Sequence, residues 1–319
     1  MSTFETRPRT ASLLERAGIA PAETLNAAAP HTPLPNDPPL RTARVPAQRR
    51  NPLVALVHDG SAGAILGLVR DGMTAAVADS ELALVLQSLP DEGCAPRLRE
   101  FLRRYRPAGV VLLPPLCERE DLAVVCGVAQ VPCVRLGPVS GQPGLACDER
   151  RAAADLVVWL VGQGHVRIGL VAGPETSPSA RQRELGYLDA MADSGLDRGP
   201  ALIVPGDDSF ESGIEAGRLL LEISPRPTAI VAGNDEMAVG VLHAAAQAGV
   251  QVPSQLSVAG FDDTPLAVRA LPALTSMRVP WGAMGAEAVR RIAAGAAPVP
   301  MAGFASELVA RASVQPPPA

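Results

Sequence analysis

Arg181, Asn234, Asp262 and Trp281 are the side chains whose types and positions suit a small polar ligand. Arg181 stands at the start of a helical stretch, residues 179–193, that follows the apolar run 167–172 (RIGLVA). At such a strand-to-helix junction side chains face a cleft. Asn234 and Asp235 follow the run 228–232 (TAIVA), and Asp262 follows 256–261 (LSVAGF). Carboxylates accept hydrogen bonds from hydroxyls, while Arg and Asn donate or bridge, so the set suits vicinal hydroxyl pairs. Trp281, one of two tryptophans, sits beside Pro280 and offers either a stacking platform for a sugar ring or plain core. Asn234 equally suits a helix N-cap, Asp262 an Asx turn and Arg181 an exposed helix surface. Arg183, two residues beyond Arg181, points elsewhere on a helix and reads as structural.

The same inspection argues against enzymes. The G-x-G at 162–164 precedes a strand-like run instead of following one, the wrong order for a dinucleotide site. No P-loop and no G-x-S-x-G occurs. His31, His58, His165 and His243 have no carboxylate or nucleophile at a telling spacing. The five cysteines, Cys94, Cys117, Cys126, Cys133 and Cys147, are odd in number and lack metal-ligand spacing. They read as reduced core thiols of a cytoplasmic protein. No catalytic residue, metal or cofactor is expected.

The elements that must position these residues are legible from rhythm. Apolar runs at 53–57, 82–86, 109–113, 131–136, 167–172, 200–204, 228–232 and 256–261 alternate with helical stretches at 62–78, 95–105, 118–127, 149–163, 179–193, 211–223 and 235–249. Continuous Val, Leu and Ile runs mean strands covered on both faces, as in parallel sheets. Regular alternation means doubly wound α/β lobes. Eight such strands exceed one comfortable sheet, so two similar lobes are expected, with ligand at the carboxyl ends of the strands between them. Ser179, with Gln182 three residues on, suits a capping box, and Gly164 and Gly249 suit helix C-termini.

Of 319 residues, 47% are hydrophobic and only 3% aromatic, so small aliphatics must fill the core. All the basic residues are arginine. The net charge is −5, yet residues 1–52 hold seven Arg against four acids, about +3. A basic arm on an acidic core points to a polyanion partner. Seven prolines lie in 30–52, which makes that stretch a linker. Residues 10–29 (TASLLERAGIAPAETLNAAA) read as helix–turn–helix, with Gly18 breaking and Pro21 opening the second helix. No stretch has signal-peptide or membrane-spanning length.

Seven collinear segments carry a resemblance: GQGHVRIGLVAGP (162–174), SARQRELGY (179–187), GDDSFESG (206–213), RPTAIVAGNDEMAVG (226–240), VPSQLSVAGFDDTPLA (252–267), TSMRVPWGAMG (275–285) and SELVARAS (306–313). Together they resemble the lac repressor (LacI/GalR) family of transcriptional regulators over about 260 residues. The resemblance implies a periplasmic-binding-protein-like type I fold and three crossovers between lobes. It places one lobe at 53–147 plus 279–308 and the other at 148–278 plus 309–319. It also implies a homodimer, operator DNA and a small sugar or sugar-acid effector. It gives effector contacts to Arg181, Asn234 and Asp262, and an aromatic cleft position to Trp281.

Departures from the family pattern are concentrated in the first lobe. After the first strand stands HDGSAGAI (58–65), without the usual paired aromatics, and Asp59 and Ser61 remain as polar candidates. Asp208 stands where an aromatic is usual, with Phe210 nearby. Val279 replaces a Gln, and Gly137 replaces an acid. Residues 1–29 resemble the family headpiece distantly, through Ala17-Gly18-Ile19. Thr24 and Asn26 fall on its recognition stretch, but Glu23 there would face phosphate unfavourably. Pro46 interrupts the hinge-helix position. Arg41, Arg44, Arg49 and Arg50 still suit phosphate or minor groove. The sequence thus leaves open a regulator, a family member that senses without reading DNA, and, disfavoured, a transport-type binding protein.

Overall fold

A computed structural model describes residues 51–60, 63–78, 80–90, 92–138, 144–295 and 302–318. The helix–turn–helix stretch, most of the linker, and Thr24, Asn26, Arg41, Arg44, Arg49, Arg50 and Ser61 lie outside the described residues.

The first lobe begins with β1 (Asn51–His58), α1 (Gly63–Ala78), β2 (Ala83–Ser88), α2 (Cys94–Tyr105), β3 (Pro107–Leu112), α3 (Glu120–Val128) and β4 (Cys133–Arg135). Its sheet runs β2-β1-β3-β4, all parallel. Val54, Ala55, Leu56 and Val57 of β1 are fully buried, as a strand covered on both faces demands. The strand starts inside the expected linker, at Asn51. Pro52 cannot donate to the ladder, and the register with β3 shifts between Asn51 and Val54. Burying each Val or Leu is worth about 1.5–3 kcal/mol. That outweighs the roughly 1 kcal/mol of one missing ladder bond.

The chain then makes a short strand β5 (Leu145–Cys147) and enters the second lobe. There follow α4 (Glu149–Gly162), β6 (Ile168–Ala172), α5 (Pro178–Asp193), β7 (Ile203–Pro205), α6 (Phe210–Glu222), β8 (Ala229–Ala232), α7 (Asp235–Gln247), β9 (Ser257–Asp262), α8 (Pro265–Arg269) and β10 (Thr275–Arg278). After β10 the chain returns to the first lobe as α9 (Trp281–Ala293) and β11 (Ala302–Phe304), which pairs with β5. It crosses once more to place β12 (Glu307–Val309) antiparallel to β10. The second sheet is therefore β12-β10-β9-β8-β6-β7.

Helices cover both faces of each sheet. α1 and α9 pack so closely that a Cβ on Gly72 would sit 1.9 Å from the Gly282 carbonyl oxygen. One apolar core runs from Val54 and Val69 through Leu145, Cys147 and Trp281 to Phe261 and Ile168, and so joins the lobes. Separate clusters lie under α2 and α3 and under α6 and α7. Gly164 and Gly249 end their helices at positive φ, 100° and 67°, as the sequence suggests. The start of α5 differs from expectation. Pro178 takes the first turn, so Ser177 is the cap, accepting from Ala180 N at 3.3 Å. Ser179 is thereby free to donate to Glu149 at 3.2 Å.

Candidate ligand-binding cleft

The carboxyl ends of β1, β3, β6, β8 and β9 converge on a cavity of about 660 Å³ lined from both lobes. The second-lobe side is held by a buried polar cluster. Arg183 donates from Nε to Glu149 at 2.7 Å, from Nη2 to Asp262 Oδ1 at 3.0 Å, and from Nη1 to the Gly233 carbonyl. Its guanidinium lies 4.1 Å from the centre of the Phe261 ring. Trp281 Nε1 donates to the same Asp262 oxygen at 3.3 Å. Burial opposes charge on Arg183, yet Asp262 and Glu149 hold its pKa above the ordinary arginine value. Burial pushes Glu149 up, against the pull of Arg183 and with Asp262 adding repulsion. A paired cluster of this kind contributes definition more than net stability, because desolvation offsets much of the attraction.

The turn after β9 is fixed from behind. Asp262 has φ 96° and Asp263 φ 52°, conformations that side-chain-bearing residues adopt only when their surroundings insist. Asp235 supplies part of that insistence. Its Oδ2 accepts from Thr264 N at 2.6 Å and Thr264 Oγ1 at 2.9 Å, and its Oδ1 accepts from Ser276 at 2.6 Å. Burial lifts its pKa to about 7 in spite of these bonds. Asp263 pairs with Arg278 at 2.8 Å and Arg311 at 2.6 Å, and so ties the turn down, as the sequence suggests.

Asn234 caps α7 through Met237 N at 2.8 Å. Its Nδ2 also donates to the Asp208 carbonyl at 3.0 Å and to Asp208 Oδ1 at 3.3 Å. Asp208 sits at φ 70° on the cavity wall. Loss of water raises its pKa to about 6. Arg183 pulls against that rise, and Asp262, Asp207 and Glu149 add to it.

The structure thus brings Asn234, Asp262, Trp281, Asp59 and Asp208 to one cavity. It places Arg181 elsewhere. Arg181 is exposed on α5 and is not on the cavity wall, whereas Arg183 is buried and is. Two residues turn a helix by about 200°, so only one of the pair can face inward. The start at Pro178 puts Ser179, Ala180 and Arg183 on the inner face. Sequence reasoning also passed over Glu149 and Glu118. Each stands among charged neighbours, DER at 148–150 and ERE at 118–120, that read as solvated surface. The signal available for Glu149 was a first-turn acid facing an arginine-bearing helix.

On the first-lobe side the wall is Asp59, the start of α1 at Gly63, Ala64 and Ile65, and Pro114, Pro115 and Glu118. Burial raises Glu118 to about 7, with Glu149 and Asp208 adding repulsion and Arg135 opposing it. Among the described residues no group of three or more His, Cys, Asp or Glu is arranged to hold a metal ion.

Two α/β lobes joined by three strand crossings, with a cavity at their carboxyl edges, define a periplasmic-binding-protein-like type I fold. Residues 157–314 match the family model described as a periplasmic binding protein-like domain. The chain is 42% identical over 149 residues to catabolite control protein A of Priestia megaterium, a match that covers 46% of this chain and 45% of that one. It is 36% identical over 202 residues to the ribose operon repressor of Escherichia coli strain K12, covering 62% and 61%. The chain therefore spans about half to three fifths of the length of these relatives. Among solved structures, the transcriptional regulator CelR in complex with cellobiose superposes with TM-score 0.75 at 28% identity, over 83% of this chain and 85% of that one. A LacI family transcriptional regulator from Mycobacterium smegmatis does so with TM-score 0.74 at 25% identity, over 83% and 100%. The chain carries a periplasmic binding protein-like domain and is similar over most of its described length to LacI-family transcriptional regulators.

Proposed function

We propose that this chain is a cytoplasmic, homodimeric transcriptional regulator, acting as a repressor, whose cleft binds a small sugar-like effector. The carrying observation is the cavity between the carboxyl edges of the two sheets, floored by Arg183, Asp262 and Trp281. An indole beside a fixed carboxylate suits a polyol, whose C–H face packs on the ring while its hydroxyls donate to oxygen. Relatives described as a ribose operon repressor and as a cellobiose complex support a sugar. No helix among the described residues is long and apolar enough to cross a membrane.

DNA contact falls to the first fifty residues, with Thr24 and Asn26 on the recognition stretch and Arg41, Arg44, Arg49 and Arg50 on phosphate. A second reading, an effector sensor that no longer reads DNA, is favoured by Glu23 in that stretch and by the prolines of 30–40. One experiment separates the two. The full chain is titrated with DNA from upstream of its own coding sequence at two salt concentrations, with and without sugars. The regulator reading expects binding above random DNA and an affinity that sugar changes, with a reciprocal change in sugar affinity. Equal binding to random DNA at low salt would leave the sensor reading. Sugar titration against Trp281 fluorescence tests the cleft itself, and a wholly silent panel would remove the effector function.

A further inference from the structure

The wall of the cleft is charged in one sense. Eight of its lining residues are Asp or Glu and one, Arg183, is basic. Arg183 has three of its five N–H donors engaged, by Glu149, Gly233 and Asp262, and two of those partners are carboxylates that already offset its charge. The internal segments outside the described residues (61–62, 79, 91, 139–143 and 296–301) contain no Arg, and the chain has no Lys.

The carboxylates differ in how they are engaged. Asp235 is consumed by Thr264 and Ser276, and Asp207 accepts from Ser209. Three others are not consumed. The carboxylate of Glu118, from the first lobe, makes no hydrogen bond or ion pair among the described residues, and that of Asp208, from the second, receives only the amide of Asn234. Asp262 is 3% exposed, yet both of its donors, Arg183 and Trp281, reach Oδ1, and no described donor reaches Oδ2. A carboxylate oxygen that no described donor reaches, on a residue lining the cavity, can accept a ligand's O–H or N–H.

Glu118 and Asp208 repel one another and Glu149 across the cleft. Arg135, the cation acting on Glu118, donates from Nε to the Cys117 carbonyl and from Nη1 to Glu120, and makes no hydrogen bond to Glu118. Closure of the lobes concentrates this negative charge, so a closing ligand must offset it. A sugar acid would add to the repulsion, and a neutral sugar would leave it in place.

We propose that the effector carries a positive charge: an amino-substituted sugar whose ammonium is met by Glu118 of one lobe and Asp208 of the other, while a hydroxyl donates to Asp262 Oδ2. This deepens the effector reading above and rests on it. Charge-assisted bonds to two carboxylates set a preference of about tenfold or more over the uncharged parent sugar.

The test is a matched panel on the full chain. Glucose, galactose and mannose, their 2-amino-2-deoxy counterparts and their uronic acids are titrated at pH 7.5, with magnesium chloride and calcium chloride alone as controls. At least one amino sugar is expected to bind about tenfold or more tighter than its parent, with the uronic acids weakest. In the isosteric double variant Glu118→Gln, Asp208→Asn the amine-to-parent affinity ratio should fall to about one. A parent sugar or uronic acid that binds as tightly as its amine overturns the charge proposal and leaves the effector cleft intact. So does a preference unmoved in the double variant, or a divalent cation that competes at micromolar concentration. A panel in which nothing binds overturns both readings.

Discussion

The two walls of the cleft are built on different principles. The second-lobe wall is wired: Arg183, Glu149, Asp262 and Trp281 form one buried cluster, and Asp235 and Asn234 brace the turns on either side of it. Almost every polar atom there has a protein partner, so this wall arrives at the ligand already set. The first-lobe wall consists of a helix start at Gly63, two prolines and two acids. The looser wall is where this chain departs from the family pattern, and it is free to select.

If the wired wall is a cooperative unit, removing its centre has the largest effect. Arg183→Ala leaves Glu149 and Asp262 buried together without a cation, and should cost about 3–5 kcal/mol of stability. Denaturant unfolding measures it. Arg181→Ala, on the exposed side of the same helix, should stay within about 0.5 kcal/mol. Equal effects from the two would erase the distinction between inner and outer arginine.

A brace should matter less than the centre. Asn234→Ala removes the cap of α7 and should cost about 1 kcal/mol. It should also weaken effector binding by releasing Asp208, which a direct titration would show. An unchanged unfolding midpoint would mean that Asn234 is not a structural part of the wall.

The two acids that face each other across the cleft, one on each wall, should respond with the opposite sign. The carboxyls of Glu118 and Asp208 titrate near 7 and 6 in the fold against ordinary values of 4.5 and 3.8. Folding therefore favours their protonated forms, and stability falls as pH rises from about 4 to 7. Glu118→Gln and Asp208→Asn should each raise the unfolding free energy slightly at pH 8, by less than about 1 kcal/mol after solvent screening. At pH 4 the gain should vanish. A loss of stability at pH 8 would show that these carboxylates are satisfied after all.

The lobes were legible because their strands are unbroken Val, Leu and Ile runs, and that pattern depends only on covering both faces of a sheet. The run 131–136 shrank to Cys133–Arg135 because Pro132 removes a ladder donor. Asn234, Asp262 and Trp281 were legible because a strand end or a proline announces them. Arg183 was not. The choice between it and Arg181 turned on where α5 begins, and a one-residue error in the cap rotates every later side chain by about 100°. Glu149 and Glu118 were hidden for a related reason: a charged residue beside other charged residues looks solvated until the tertiary fold removes its water.

Helix α9 has one further property. It opens with Trp281 on the wall of the cleft, and its far end packs Ile292 so tightly on Gly109 of β3 that a Cβ there would sit 2.6 Å from that side chain. Thirteen residues of helix make a strut of about 20 Å. Its near end is hydrogen-bonded to the second lobe, and its length is seated on the first. Whatever displaces the indole therefore pushes on the first lobe's sheet from beneath. The ligand need not bend the protein at a distance, because one end of a rigid rod already rests under its ring.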